Sequence, residues 1–201
     1  YRLDELAAGE DPPFISASTG AGRAFREILY ASISATCAPD KWQRALSAID
    51  QELRRARLYG FTMAEVERVQ KEILAALDRA VKQVSTRESG ALAGQIRGSL
   101  AGDRVFLSPA QERKLMAPVI KKLTPEKLHQ ALLASWQEDN RLVMVTGNAV
   151  IEAAGDSDEG KDSNAKSPEE QIVAVYNDSL QSPVSPPAEK ELALFPYLPT
   201  P

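Results

Sequence analysis

The sequence predicts an α+β domain in two layers, a small sheet with its helices packed on one face. Three observations carry this. Residues 28–36 alternate apolar and small polar side chains, the period of a half-buried strand. A run of capped, amphipathic helices follows between about residues 41 and 136, and then the apolar stretch Arg141–Gly147. The order β-β, four or five helices, β clusters the helices too tightly for a doubly wound parallel sheet. A sheet covered on one side by helices is the natural solution.

The first strand is expected at Phe14-Ile15-Ser16-Ala17-Ser18-Thr19, after Pro12-Pro13. The second is Ile28–Thr36. Between them Gly20-Ala21-Gly22-Arg23 reads as a flexible connection, so the two strands should be antiparallel neighbours. That glycine pair is too short for a phosphate fingerprint, and no Gly-Lys-Ser or Gly-Lys-Thr accompanies it.

Helix starts are well marked. Asp40 with Gln43, Thr62 with Glu65 and Ser108 with Gln111 each fit the capping box, in which two side chains and two early backbone N–H groups satisfy one another. Thr124 precedes Pro125, whose missing N–H costs nothing in the first turn. Each such cap contributes about 1 kcal/mol. The first long helix should span 41–59, burying Trp42, Leu46, Ile49, Leu53 and Ala56, with Gly60 ending it. The second runs from Met63 past Val84, with Val66, Val69, Ile73, Leu77, Ala80 and Val84 inward. Residues 87–100 are helical again, or a continuation of that helix, with Leu92 and Ile96 inward. A helix from Pro109 to Leu123 should be bent or split by Pro118. Glu126–Trp136 is the last helix before Asp139-Asn140 turns the chain into Arg141–Gly147, a strand of the kind found inside a sheet.

Residues 1–151 are thus expected to form the domain. Residues 152–201 read as a flexible linker, because 152–168 holds almost no apolar group to offset the cost of ordering. Within it, Ser167-Pro168-Glu169-Glu170 starts one short helix with Ile172, Val173, Tyr176 and Leu180 on one side. From Ser182 onward Pro183, Pro186, Pro187, Pro196, Pro199 and Pro201 describe an extended tether. The chain starts at Tyr1 and ends Pro-Tyr-Leu-Pro-Thr-Pro, as a piece of a longer polypeptide would.

Composition narrows function by exclusion. Of 201 residues, 43% are hydrophobic and 26% charged, as in an ordinary soluble domain. The net charge of −4 argues against a nucleic-acid partner, which would demand a basic face. No stretch approaches the roughly 20 apolar residues of a membrane span. A single cysteine, Cys37, forms no internal disulfide.

No catalytic, cofactor-binding or metal-ligating residue is assigned. The only histidine, His129, has Pro125 and Leu133 at the helical spacings where a second ligand would stand, so it reads as structural. Cys37 lacks a base near it in sequence and reads as a small structural residue; a stand-alone Cys37 hydrolase is the remotest reading. Arg44, Arg54, Arg55 and Arg57 make a basic helix face that would attract an acidic peptide or a partner domain, or else simply meet solvent. Glu65 and Glu67 diverge on their helix and form no acid/base pair. Ser85, Ser89, Asp78 and Lys82 fit no hydrolase order.

The motifs in order are Arg2-Leu3-Asp4-Glu5-Leu6, Pro13–Ala17, Trp42-Gln43-Arg44-Ala45-Leu46 with Glu52–Ala56, Tyr59-Gly60-Phe61-Thr62 with Glu65–Val69, Ser85–Ser89, and Thr124–Leu128 ahead of Gly147. Together they resemble the bacterial branch of the pitrilysin/insulinase zinc metallopeptidases, over most of residues 1–147. The resemblance implies the non-catalytic second domain of the first half, a companion domain of the pitrilysin/mitochondrial-processing-peptidase type, followed by the linker between halves. In that family an inverted motif H-x-x-E-H and a distant glutamate hold zinc. This chain has no H-x-x-E-H, so no metal or catalytic residue carries over, and zinc is expected in the missing catalytic domain of the parent. The expected partners are the remaining domains of the same polypeptide and a peptide substrate. The expected function is a structural wall of the substrate chamber, inactive by itself. The rival is a non-catalytic binding or assembly subunit of the same fold. The parent's compartment, periplasmic or cytoplasmic, stays open.

Overall fold

The computed structural model describes residues 1–24, 28–136, 140–149, 151 and 167–188. It contains α1 (Arg2–Ala7), β1 (Ser16–Ala24), β2 (Ile28–Thr36), α2 (Trp42–Tyr59), α3 (Met63–Lys82), α4 (Ser89–Ala101), α5 (Pro109–Ile120), α6 (Pro125–Ser135) and α7 (Pro168–Gln181), with a single 3-10 turn at Val84–Thr86. The contacts divide the chain into two compact units. One is Tyr1–Tyr59 with Ala131–Pro186, the other Gly60–Gln130 with Pro187–Pro201.

In the first unit β1 and β2 form an antiparallel ribbon in which Ser16 faces Thr36 and Ala24 faces Ile28. Ile15 extends the pairing, its N–H donating to the Thr36 carbonyl at 2.7 Å. α1 touches β1 and α2 touches β2. The ribbon is half-buried along Ala17, Ala31, Ile33 and Ala35, while Ser16, Ser18, Ser32, Ser34 and Thr36 face water. The expected mixed fold, a small sheet with helices against it, is therefore present.

The expected flexible connection at Gly20–Arg23 is instead strand. Gly22 stands opposite Tyr30, and a Cβ there would meet the Tyr30 hydroxyl at 2.9 Å. The glycine lets an aromatic ring lie across the neighbouring strand, a pairing that stabilises Gly within a ladder. Residues 25–27, between the two strands in sequence, lie outside the described residues.

The predicted strand Arg141–Gly147 is not part of the sheet. Its alternation is real, with Arg141, Val143 and Val145 half-buried, but Leu142 and Met144 are 84% and 71% exposed. Among the described residues β1 and β2 pair only with each other. The segment is held instead by Arg141, which donates to the Tyr176 hydroxyl and stands 5.9 Å from that ring's centroid.

Three of the four caps ahead of the domain's helices form as expected. Thr62 and Ser108 make full capping boxes with Glu65 and Gln111, and the Lys127 N–H donates to the Thr124 hydroxyl at 3.4 Å. Ser167 makes a further box with Glu170 at the start of α7. Asp40 does not sit at its helix start. The Lys41 N–H closes a turn on the Ala38 carbonyl, and the Lys41 carbonyl accepts from Ala45, so α2 begins one residue later. Pro118 lies inside α5 without splitting it, close enough to the end that little of the hydrogen-bonded ladder is lost.

In the second unit α3 packs on α5 around Val66 and Ile120, which are 2% and 4% exposed. The Gln70 amide donates to the Leu123 carbonyl at 2.9 Å. Arg113 pairs with Asp78 across the two helices. The expected inner stripe is only partly inner. Ile73, Val84 and Ile96 are exposed, while Val69, Leu77, Ala80 and Leu92 are half-buried. Among the described residues no helix is long and apolar enough to cross a membrane.

Candidate functional site

His129 and Cys37 belong to different units, each with its own surroundings. His129 on α6 is half-buried, and its ring covers Gly60: a Cβ on Gly60 would lie 3.1 Å from the His129 Cγ. Gly60 has φ +68°, so both the close approach and the left-handed backbone favour glycine there. Cys37 is a half-buried free thiol whose pKa is raised, first by desolvation and then by the nearby Asp40 carboxylate. That is the opposite of an activated thiolate. Among the described residues no three His, Cys, Asp or Glu side chains come together in a way that could hold a metal ion.

The polar chemistry concentrates on α2 of the first unit. Asp50 and Glu52 are 5% and 7% exposed, although helical periodicity places neither inside. Arg54 Nε donates to Asp50 Oδ2 at 3.1 Å, and the Ser179 hydroxyl of α7 donates to the same oxygen at 2.8 Å. Ser179 is itself only 2% exposed. Arg55 pairs with Glu52 one turn along the helix. A buried charge demands such partners, because an unpaired one would cost several kcal/mol.

The expected solvated basic face is therefore only partly solvated. Arg44 is half exposed, but the Arg54 and Arg55 side chains are 15% and 24% exposed and committed to this chain's own groups. Arg54 donates through Nη1 to the Leu180 carbonyl at 3.3 Å, and through Nη2 to the carbonyls of Ser179 and Ser182. Arg55 donates to the Ser185 carbonyl at 2.9 Å, and the Tyr59 hydroxyl to the Val184 carbonyl at 3.0 Å. α7 turns accordingly. Its inward face is Ile172, Val175, Tyr176 and Ser179, whereas Val173 and Leu180, expected inside, are exposed.

Nearer the start of α2, Lys41 and Arg44 hold the two oxygens of Asp11 at 3.0 and 2.8 Å, and Arg44 also donates to the Asp11 carbonyl at 3.2 Å. These bonds hold the Asp11 carboxyl below its ordinary pKa, Lys41 contributing most and Arg44 next. Beside them lies an open groove of about 410 Å³ whose lining includes Gln43, Arg44, Gln51 and Asp178. It offers donors, one anion and one cation. With the Ser47 hydroxyl also in its lining, the arrangement can bind polar groups.

No protein-family model matches the chain, and no curated protein matches its sequence. Solved structures share its fold. The first half of the periplasmic protease PqqL from Escherichia coli superposes with a TM-score of 0.65 at 19% identity, over 94% of this chain and 38% of that one. Full-length PqqL gives 0.68 at 19%, over 96% of this chain and 20% of that one. A point mutant of the ferredoxin protease FusC, solved in complex with Arabidopsis ferredoxin, gives 0.54 at 15%, over 99% and 21%. The chain thus spans well under half the length of the proteins it resembles.

Proposed function

We propose that this chain is a non-catalytic wall of the peptide chamber in a larger metallopeptidase of the pitrilysin/insulinase type, inactive by itself. The observation that supports it is the fold. Nearly the whole chain follows a part of two structures described as proteases. The donor set agrees with a non-catalytic part. A catalytic zinc site needs three protein ligands and an open position, and one histidine with one cysteine does not fit it. No chemical step is assigned to residues of this chain. Its contribution is shape: a ribbon with a serine-lined outer face and a helix, α2, that orders the residues around it.

In the parent, zinc and its activated water would come from another domain of the same polypeptide, and the substrate would be a peptide. Two measurements test this. The isolated chain should retain no zinc in equilibrium dialysis and cleave neither casein nor short peptides. One tightly held zinc per chain, or cleavage abolished by a chelator, overturns the reading. The gene product that contains this chain should also encode H-x-x-E-H before Tyr1. Without that motif, the rival role of a binding or assembly subunit takes its place.

A further inference from the structure

We infer that α2 is a docking track for the chain's own proline-bearing segment Ser182–Pro186, which it grips together with the end of α7 by main-chain carbonyls. The inference goes beyond the chamber-wall reading and does not depend on it.

The chemistry starts with what the segment offers. The last carbonyls of a helix lack intrahelical partners and carry the negative end of its dipole. Past Gln181 the sequence is Ser-Pro-Val-Ser-Pro, and Pro183 and Pro186 have no N–H to give. Such a chain presents acceptors, so a surface that holds it must be a row of donors. α2 supplies that row. Arg54 reaches the carbonyls of Ser179, Leu180 and Ser182, Tyr59 that of Val184, and Arg55 that of Ser185.

The grip is built rather than incidental. The Arg54 guanidinium is aimed by buried Asp50, and the same carboxylate oxygen accepts from the Ser179 hydroxyl. One carboxylate thus orients the donor and fixes the register of α7 beneath it. Arg55 is oriented in the same way by Glu52. Because the bonds go to backbone oxygens, the track reads the path of the segment and not its side chains. Within the first unit, residues 167–186 are in this sense a ligand of α2, joined to it through the chain.

The test uses the full chain with a specific protease site inserted between Asp158 and Glu159. After cutting, the piece carrying α7 should co-elute with the rest in gel filtration at micromolar concentration. Arg54→Gln with Tyr59→Phe should raise its dissociation rate at least tenfold, whereas Val184→Ala with Ser185→Ala should leave that rate unchanged. If Arg54→Gln prevents folding, Tyr59→Phe with Arg55→Lys, which keeps a cation beside Glu52, replaces it with the same expected direction. Separation of the α7 piece from the rest of the cut parent chain, while tryptophan fluorescence of the rest stays native, overturns the inference. So does a donor variant that dissociates as slowly as the parent chain, or a side-chain variant that dissociates as fast as the donor variant. None of these readouts involves peptidase activity, so the chamber-wall reading stands or falls separately.

Discussion

The α2–α7 contact of the first unit and the α3–α5 contact of the second are both helix pairs, yet they are held by different means. In the first, a buried carboxylate, a guanidinium and a hydroxyl are interlocked, and the helix end is tied down by its carbonyls. In the second, two buried aliphatic side chains are joined by an exposed ion pair and one amide-to-carbonyl bond. A polar network fixes one geometry, because every alternative leaves a buried charge unpaired. A contact built on apolar side chains fixes a pairing but tolerates repacking.

The largest effect should come from Arg54→Ala. It leaves Asp50 buried without its cation and frees the α7 carbonyls at once, and breaking a buried pair in this way costs about 3–5 kcal/mol. Both tryptophans, Trp42 and Trp136, lie in the first unit. Urea unfolding followed by fluorescence should therefore shift strongly. Adding Asp50→Asn should recover part of the loss, since a neutral amide costs less to bury. An unchanged midpoint would mean that the network contributes order but no stability.

Ile120→Ala is the matching break in the second unit. Removing a buried isoleucine typically costs about 2–5 kcal/mol, and with so small a core we expect about 3 kcal/mol. Helical circular dichroism should then fall at lower urea than tryptophan fluorescence does. If the two signals still coincide, the units unfold as one cooperative body and the contrast between them is only local.

The two contacts also differ in how far the sequence discloses them. Local signals are readable: the alternation of Ile28–Thr36, the boxes at Thr62 and Ser108, and the burial of Trp42, Leu53 and Val66. Long-range ones are not. Periodicity assigns charged positions to solvent, so it passes over Asp50 and Glu52. The burial of Asp50 depends on Ser179, 129 residues away. The arginines stand out as a cluster but not as capping donors, because nothing in a helix pattern tells which carbonyls will arrive. Gly20 and Gly22 read as a loop, since the Tyr30 ring that makes glycine useful at position 22 lies on the other strand. Arg141–Gly147 has the right alternation for a strand, but alternation does not say whether a partner edge is present. The donor row on α2 needs the fold.

Acidification offers the finest separation of the two regions. Asp11 in the first unit is held below its ordinary pKa by Lys41 and then Arg44, and Asp78 in the second chiefly by Arg113. A carboxylate whose folded pKa is depressed contributes stability above its unfolded pKa of about 3.9, and that contribution is lost as pH falls through the folded value. Both carboxylates are exposed, so each effect is small and salt-sensitive. What differs is the background. Losing Asp11's bonds frees only the segment ahead of β1 from the start of α2, whereas losing Asp78's bond removes the ion pair that joins α3 to α5. Acid titration from about pH 6 to about pH 2 at low salt should therefore show Asp78→Asn blunting the circular dichroism transition more than Asp11→Asn blunts the fluorescence transition. Added salt should shrink both differences. Equal blunting would mean that the two exposed pairs matter alike to their units.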